Sequence, residues 1–319
     1  MKVRILELNY AKCDPSCHGG GPRSFPSGGP AAILCATSLM ALQDALVKLL
    51  SAGLPLWQLF LLRSILILPL LAVLILRTGH GRLRSVLKRW VLLRSALIVA
   101  MYVAFYAALP VLALPVVSAV YYTGPLFIVL FSGLFLREKI ALAQWGAVLA
   151  AFVGVLIVLR PTGDDFSMAA LIPLVSALCY AVAMVTTRGR VGAIDAWILT
   201  FSLNIVFAIS GLAGIIVSAI VARPDAYPFL LTVWAPLDGE TAAMVALLAF
   251  ISIAIHVLLA RAYQLGPTVV VAGLDFSYLV FAALWAVVFF GTLPSAPVIT
   301  GTCLIGGAGL WGIMNTRRG

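Results

Sequence analysis

Ten stretches of about twenty apolar residues, each set off by a short break of Pro, Gly or charge, constrain this chain more than any other feature. They lie near residues 31–50, 56–76, 90–110, 114–136 and 141–160, then 168–187, 196–221, 242–263, 267–290 and 295–315. A helix of about 20 residues crosses the roughly 30 Å hydrocarbon layer of a bilayer and satisfies its own backbone hydrogen bonds there. The breaks read "SAGLP", "LREK", "RPTGDD", "QLGP" and "GTLPSAP", which are turn and charge signals that end helices. With 63% of residues hydrophobic and 10% charged, the chain has too few charges to cover a water-soluble surface. The expected fold class is all-α integral membrane, with ten transmembrane helices and the lipid bilayer as a partner.

Charge then sets a topology. With the N-terminus placed in the cytoplasm, sixteen of the 21 Lys and Arg fall on that side, two (Arg160 and Arg223) fall outside, and three (Lys48, Arg63 and Arg94) lie within spans. Such a bias predicts both termini cytoplasmic. The net charge of +10 therefore has a topological meaning, and no nucleic acid partner is expected. Residues 1–30 are rich in Gly, Pro and Ser and contain no signal-peptide core, so a disordered cytoplasmic tail is expected there. The five cysteines are odd in number and scattered, which argues against a disulfide framework. "CDPSCH", from Cys13 to His18, is one residue too long for the haem-attachment pattern and lacks a fourth zinc ligand. No metal and no cofactor are expected.

The spans repeat. "YYTGPLFIVLFSGLFLREKIALAQWGAVLAAFVGVLIV" in spans four and five matches "DFSYLVFAALWAVVFFGTLPSAPVITGTCLIGGAGLWGI" in spans nine and ten at a shift of 154–155. Gly146, Leu149 and Gly154 correspond to Gly301, Leu304 and Gly309. Five helices per copy is an odd number, so the second copy is inverted. Inverted repeats are the usual architecture of alternating-access carriers, with the substrate site between the copies. The expected division is a first five-helix repeat over 31–160 and a second over 161–319.

A family resemblance rests on "DALVK" in span one, "QLFLLRSILILPLL" in span two, and "TGPLFIVLFSGLFLREKIALAQWGAVLAAFVGVLIVLRP" across spans four and five. In these the chain resembles the drug/metabolite transporter superfamily, of the EamA type. It departs at Thr292, which stands where these repeats often carry Glu, as Glu138 does in the first copy. The resemblance implies carriage of a small metabolite, such as an amino acid, a vitamin or a nucleoside-like compound, across a bacterial inner membrane.

Charged residues inside spans mark function by default. Asp44 lies nine residues before the turn at Gly53, and Arg63 ten after it. Antiparallel helices put both about 9–15 Å below the same face, with Lys48 one turn from Asp44. Two uses are open: a buried trio that only joins helices one and two, or a cluster that meets a charged group of the substrate. Tyr102, Tyr106, Tyr121, Tyr122 and Asn204 suit the wall of an amphipathic site, and equally ordinary packing. His256 and Asp275 flank the turn at Gln264–Leu265 at matching depth. A pair there would carry a coupling proton or serve as a structural hydrogen bond. Gly124–Pro125 permits a kink in span four, and Arg94, a turn or so inside the inner face, is expected to reach the headgroups.

The expected function is secondary active transport by alternating access, with proton coupling as an open option. There is no P-loop, no H-E-x-x-H and no G-x-S-x-G in the sequence. An enzyme is therefore not expected. The alternatives are a non-transporting membrane sensor and a membrane-embedded enzyme. Nothing in the sequence sets an oligomeric state.

Overall fold

In a computed structural model of the chain, residues 28–78, 83–136, 142–159, 168–221, 227–266 and 268–316 are described. The expected tail with Cys13 and Cys17, the "REK" after Leu136 with Glu138, Arg160–Pro161 and Arg223 lie outside the described residues. Among the described residues the regular structure is all helical, with no strand. They form α1 (Gly28–Leu50), α2 (Leu56–Thr78), α3 (Arg89–Ala108), α4 (Leu114–Tyr121), α5 (Gly124–Leu136), α6 (Leu142–Leu159), α7 (Ile172–Gly189), α8 (Ala196–Val221), α9 (Pro228–Leu231), α10 (Gly239–Leu265), α11 (Thr268–Asp275), α12 (Ser277–Phe290) and α13 (Ala296–Thr316).

Eight helical spans among the described residues are long and apolar enough to cross a membrane. Two shorter apolar stretches, Trp145–Ile157 and Ala296–Ala308, fall where the fifth and tenth spans are expected. Leu66, Leu70, Leu76, Ile216 and Ile220 are exposed, as side chains solvated by lipid tails must be. This is a multi-pass membrane protein.

Two spans are interrupted. Span four, Val116–Leu136, is α4 followed by α5, with a turn at Tyr122 and Thr123. Pro125 explains the break: it has no N–H to give the carbonyl one turn back, and its ring crowds that carbonyl. The hydroxyl of Thr123 donates instead to the Val120 carbonyl at 2.8 Å. Span nine, Val270–Phe290, is α11 followed by α12, with the break at Phe276, immediately after Asp275. The two breaks are 154 residues apart when Tyr122 is set against Phe276.

Helix ends follow local rules. Asp238 caps α10 by accepting from the Thr241 backbone N–H at 2.8 Å. Gly291 ends α12 in the left-handed region at φ 60°, which glycine enters without steric cost. The close approach of α6 and α13 depends on Gly154. A methyl group there would sit 2.8 Å from the Gly301 carbonyl oxygen and 2.8 Å from Ile305 Cγ1.

Two faces of the bundle differ. On one, the Arg89 and Arg190 guanidinium groups lie over the Trp90 ring, and Arg188 donates to the Gln264 carbonyl, so the ends of α3, α7 and α10 meet. We call this the basic face. On the opposite face, residues 227–237 strap over the ends of the helices. Trp57 and Ser218 both donate to the Leu230 carbonyl, at 2.9 Å each. Gln58 exchanges two hydrogen bonds with Ala235, and Tyr227 donates to the Ala107 carbonyl.

Candidate functional site

Two carboxylates sit in the middle of the bundle, each held by tyrosine hydroxyls. Asp44 on α1 accepts from Tyr106 of α3 at 3.1 Å and from Tyr278 of α12 at 2.7 Å. Gln43 donates to Tyr106 at 3.0 Å and to Tyr102 at 3.4 Å, which fixes both phenols. Tyr102 and Tyr106 share a face of α3 because they are four residues apart. Asp275, the last residue of α11, accepts from Tyr180 of α7 at 2.5 Å, Tyr263 of α10 at 3.1 Å and Tyr122 at 3.5 Å. A carboxylate withdrawn from water needs such donors. The rings are continuous as well: Tyr122 stacks on Tyr278 at 4.6 Å, and Tyr121 meets Phe105 and Tyr122 edge-on.

Arg63 on α2 contrasts with these satisfied groups. It is 0% exposed, yet none of its three guanidinium nitrogens has a hydrogen-bond partner. Its charge rests over the ring of Phe207 at 4.8 Å and that of Phe60 at 5.8 Å. A desolvated cation–π contact contributes on the order of 2 kcal/mol. That is less than the several kcal/mol an ion loses on leaving water. His256 on α10 lies edge-on to Tyr102 at 5.7 Å and beside Phe207 at 6.3 Å, and neither of its ring nitrogens has a partner. Asn204 on α8 donates to the Thr200 carbonyl at 2.9 Å and leaves its side-chain oxygen unpartnered. The Tyr121 hydroxyl is unpartnered too.

The structure thus gathers Asp44, Arg63, Tyr102, Tyr106, Tyr121, Tyr122, His256 and Asp275 into one connected set of contacts, with Asn204 a turn from Phe207 on α8. It corrects three expectations. The trio of Asp44, Lys48 and Arg63 does not form ion pairs: Asp44 is held by tyrosines, and Lys48 turns away. Lys48 Nζ donates to the Leu109 and Leu112 carbonyls, at 2.6 and 2.8 Å, beyond the end of α3. Carbonyls left free at a helix end are good partners for a cation that cannot reach water. His256 and Asp275 share no hydrogen bond, because Asp275 faces the tyrosines of α7 and α10 and the end of α4. Arg94, expected near headgroups, is 0% exposed and donates through Nε to Thr187 at 2.8 Å.

Sequence reasoning missed Tyr180, Tyr263, Tyr278 and Phe207. A signal was present. Seven of the nine tyrosines are buried around these two carboxylates, and an intramembrane Asp without a cationic partner calls for hydroxyl donors from other spans.

Comparison with known proteins agrees with this architecture. The sequence profile of the EamA-like transporter family matches residues 27–160. A riboflavin transporter of Rhizobium johnstonii is 30% identical over 229 residues, which is 70% of this chain and 68% of that protein. The pseudopaline exporter CntI of Pseudomonas aeruginosa is 27% identical over 271 residues, covering 85% of this chain and 90% of that protein. A solved crystal structure superposes with a TM-score of 0.62 at 21% identity, covering 89% of this chain and 98% of the other. That last match speaks to the fold alone.

Proposed function

This chain belongs to the EamA-like transporter family of the drug/metabolite transporter superfamily, and we propose that it is a secondary carrier for a small metabolite bearing an anionic group beside a flat ring. The observation that carries this reading is Arg63, a buried cation with no hydrogen-bond partner, set among Phe207, Phe60, Tyr102 and His256. An anionic group supplies the hydrogen bonds that Arg63 lacks, in the planar geometry a guanidinium favours. The surrounding rings supply stacking area for the rest of the ligand.

The ten-span, two-repeat architecture belongs to the same proposal. The breaks in spans four and nine support it, since they occupy corresponding places and each brings a site residue, Tyr122 or Asp275, to the middle of the bundle. Discontinuous helices of this kind surround the substrate in many carriers built from inverted repeats. The motion is alternating access of residues 31–160 against 161–319, with both termini cytoplasmic and the basic face inward. Asp275 is the proposed coupling group. It faces neutral hydroxyls, so exchanging a proton breaks no ion pair.

A thermal-shift panel tests this. Purified protein is heated with amino acids, nucleoside-like compounds and vitamins, riboflavin first because a relative is named for it. A ligand at 100 times its Kd stabilises by about 2.7 kcal/mol. The expected result is a hit that is lost in Arg63→Gln and that supports counterflow in proteoliposomes. A hit retained in Arg63→Gln overturns the placement of the anionic group. A hit with no counterflow overturns carriage and favours a sensor.

A further inference from the structure

Several buried donors outside the tyrosine cages lack partners, and three of them, Arg63, His256 and Arg94, stand at stepped depths. Arg63 is seven residues along α2 from the opposite face, which puts it roughly 22 Å above the basic face at 1.5 Å per residue. His256 is nine residues before the end of α10, about 13 Å above the basic face. Arg94 is five residues into α3, about 7 Å above it. All three are at most 1% exposed. Helices α2, α8 and α10 pack mutually, His256 meets Tyr102 of α3 and Phe207 of α8, and α3 carries Arg94 on to Thr187 of α7.

We propose that Arg63, His256 and Arg94 form a stepped oxyanion path, with Arg94 a second anion station nearer the basic face. The proposal rests on the carriage reading above and extends it to a residue that reading does not use. Arg94 keeps two guanidinium nitrogens, Nη1 and Nη2, without partners. Its third nitrogen is held by Thr187, whose own hydroxyl donates to the Ala183 carbonyl at 2.8 Å. That arrangement fixes the fork and leaves its two terminal donors for a ligand. Among the described residues, neither arginine forms a hydrogen bond with a carboxylate, and Asp44 and Asp275 accept from phenols. Two buried guanidinium groups with free terminal donors, about 15 Å apart in depth, suit an oxyanion that is passed from one to the other as the halves rock. The His256 imidazole, at intermediate depth with both ring nitrogens unpartnered, presents one ring edge and no fork, so it holds an oxyanion less firmly than either arginine.

The test uses inorganic phosphate as probe, with chloride at matched ionic strength as control and the purified full chain in neutral-lipid nanodiscs. The half-saturating phosphate concentration for thermal stabilisation is read for wild type, Arg63→Gln, Arg94→Gln, Arg94→Lys and the double Gln variant. Arg84→Gln, at an exposed position, controls for surface charge. Each single Gln variant is expected to raise the half-saturating concentration about tenfold or more, the scale of one lost charge-assisted contact. The double variant is expected to lose the response. If Arg94→Gln does not fold, a rise in Arg94→Lys, which keeps the charge and loses the fork, carries the same meaning. The path is overturned if phosphate acts no differently from chloride on wild type, or if the folded Arg94 variants titrate like wild type. A normal phosphate titration with no metabolite ligand sinks carriage and leaves the path. A metabolite lost in Arg63→Gln, with phosphate indifferent to Arg94, does the reverse.

Discussion

Tyr122 and Tyr278 stack with ring centroids 4.6 Å apart and point their hydroxyls at different carboxylates, Tyr122 toward Asp275 and Tyr278 toward Asp44. One stacked pair therefore joins the two buried acids and, through them, α1, α4, α11 and α12. Tyr278→Phe removes one donor from Asp44 and leaves Tyr106. The expected loss is about 1–3 kcal/mol of stability, the cost of an unsatisfied buried acceptor. Thermal unfolding of Tyr278→Phe, Asp44→Asn and the double variant checks it. Strictly additive losses would mean the 2.7 Å bond contributes nothing.

Arg63 gives the opposite expectation. Its guanidinium makes no hydrogen bond, so Arg63→Met removes a desolvated charge and keeps most of the volume. Ligand-free stability should stay level or rise by up to about 1–4 kcal/mol, while ligand stabilisation disappears. Thermal unfolding with and without the panel ligand separates the two effects. A large loss of ligand-free stability would make Arg63 structural.

Lys48 is structural by its contacts. Lys48→Met leaves the Leu109 and Leu112 carbonyls without a donor. The expected cost is about 1–3 kcal/mol, with the ligand's Kd unchanged. Titrations on the folded variant decide this, and a weakened Kd would return Lys48 to the site.

Gly154→Val puts side-chain atoms against the Gly301 carbonyl and Ile305, which cannot both move aside. Overpacking of this kind costs about 1–3 kcal/mol. Gly53→Ala, at a position with open space, is the control and should leave the unfolding temperature unchanged.

Asp238 carries a pH dependence outside the membrane. Thr241, through its hydroxyl and its backbone N–H, holds this carboxyl below its ordinary value of 3.8. A group with a lowered folded value adds stability that is present above the unfolded value and is lost as pH falls through the folded one. The capping contribution should fade only below pH 3.8. Asp238→Asn keeps an oxygen for the cap and should remove that slope, as unfolding curves between pH 2 and pH 6 would show.

Hydropathy over twenty residues is a local property, so the eight long apolar helices are legible before any tertiary contact is known. The expected span at 196–221 coincides with α8, and the Gly124–Pro125 pair marks the break that ends α4. The sequence also sets how far along its helix each charge stands, because that follows from counting residues. Azimuth and partner were decided by tertiary structure alone. Each residue turns about 100° around the helix axis, so small differences in rotation separate Asp44 from Arg63 at the same depth. Asp44 then meets Tyr278, 234 residues away, and Asp275 meets Tyr180, 95 residues away. Lys48 found carbonyls at the end of α3, and Arg94 found Thr187, because each buried cation takes whichever acceptor packing brings within reach. Sequence counting sees the cost of burying such groups. Only the assembled bundle decides which of them the protein satisfies and which, like Arg63 and His256, it leaves without a hydrogen-bond partner.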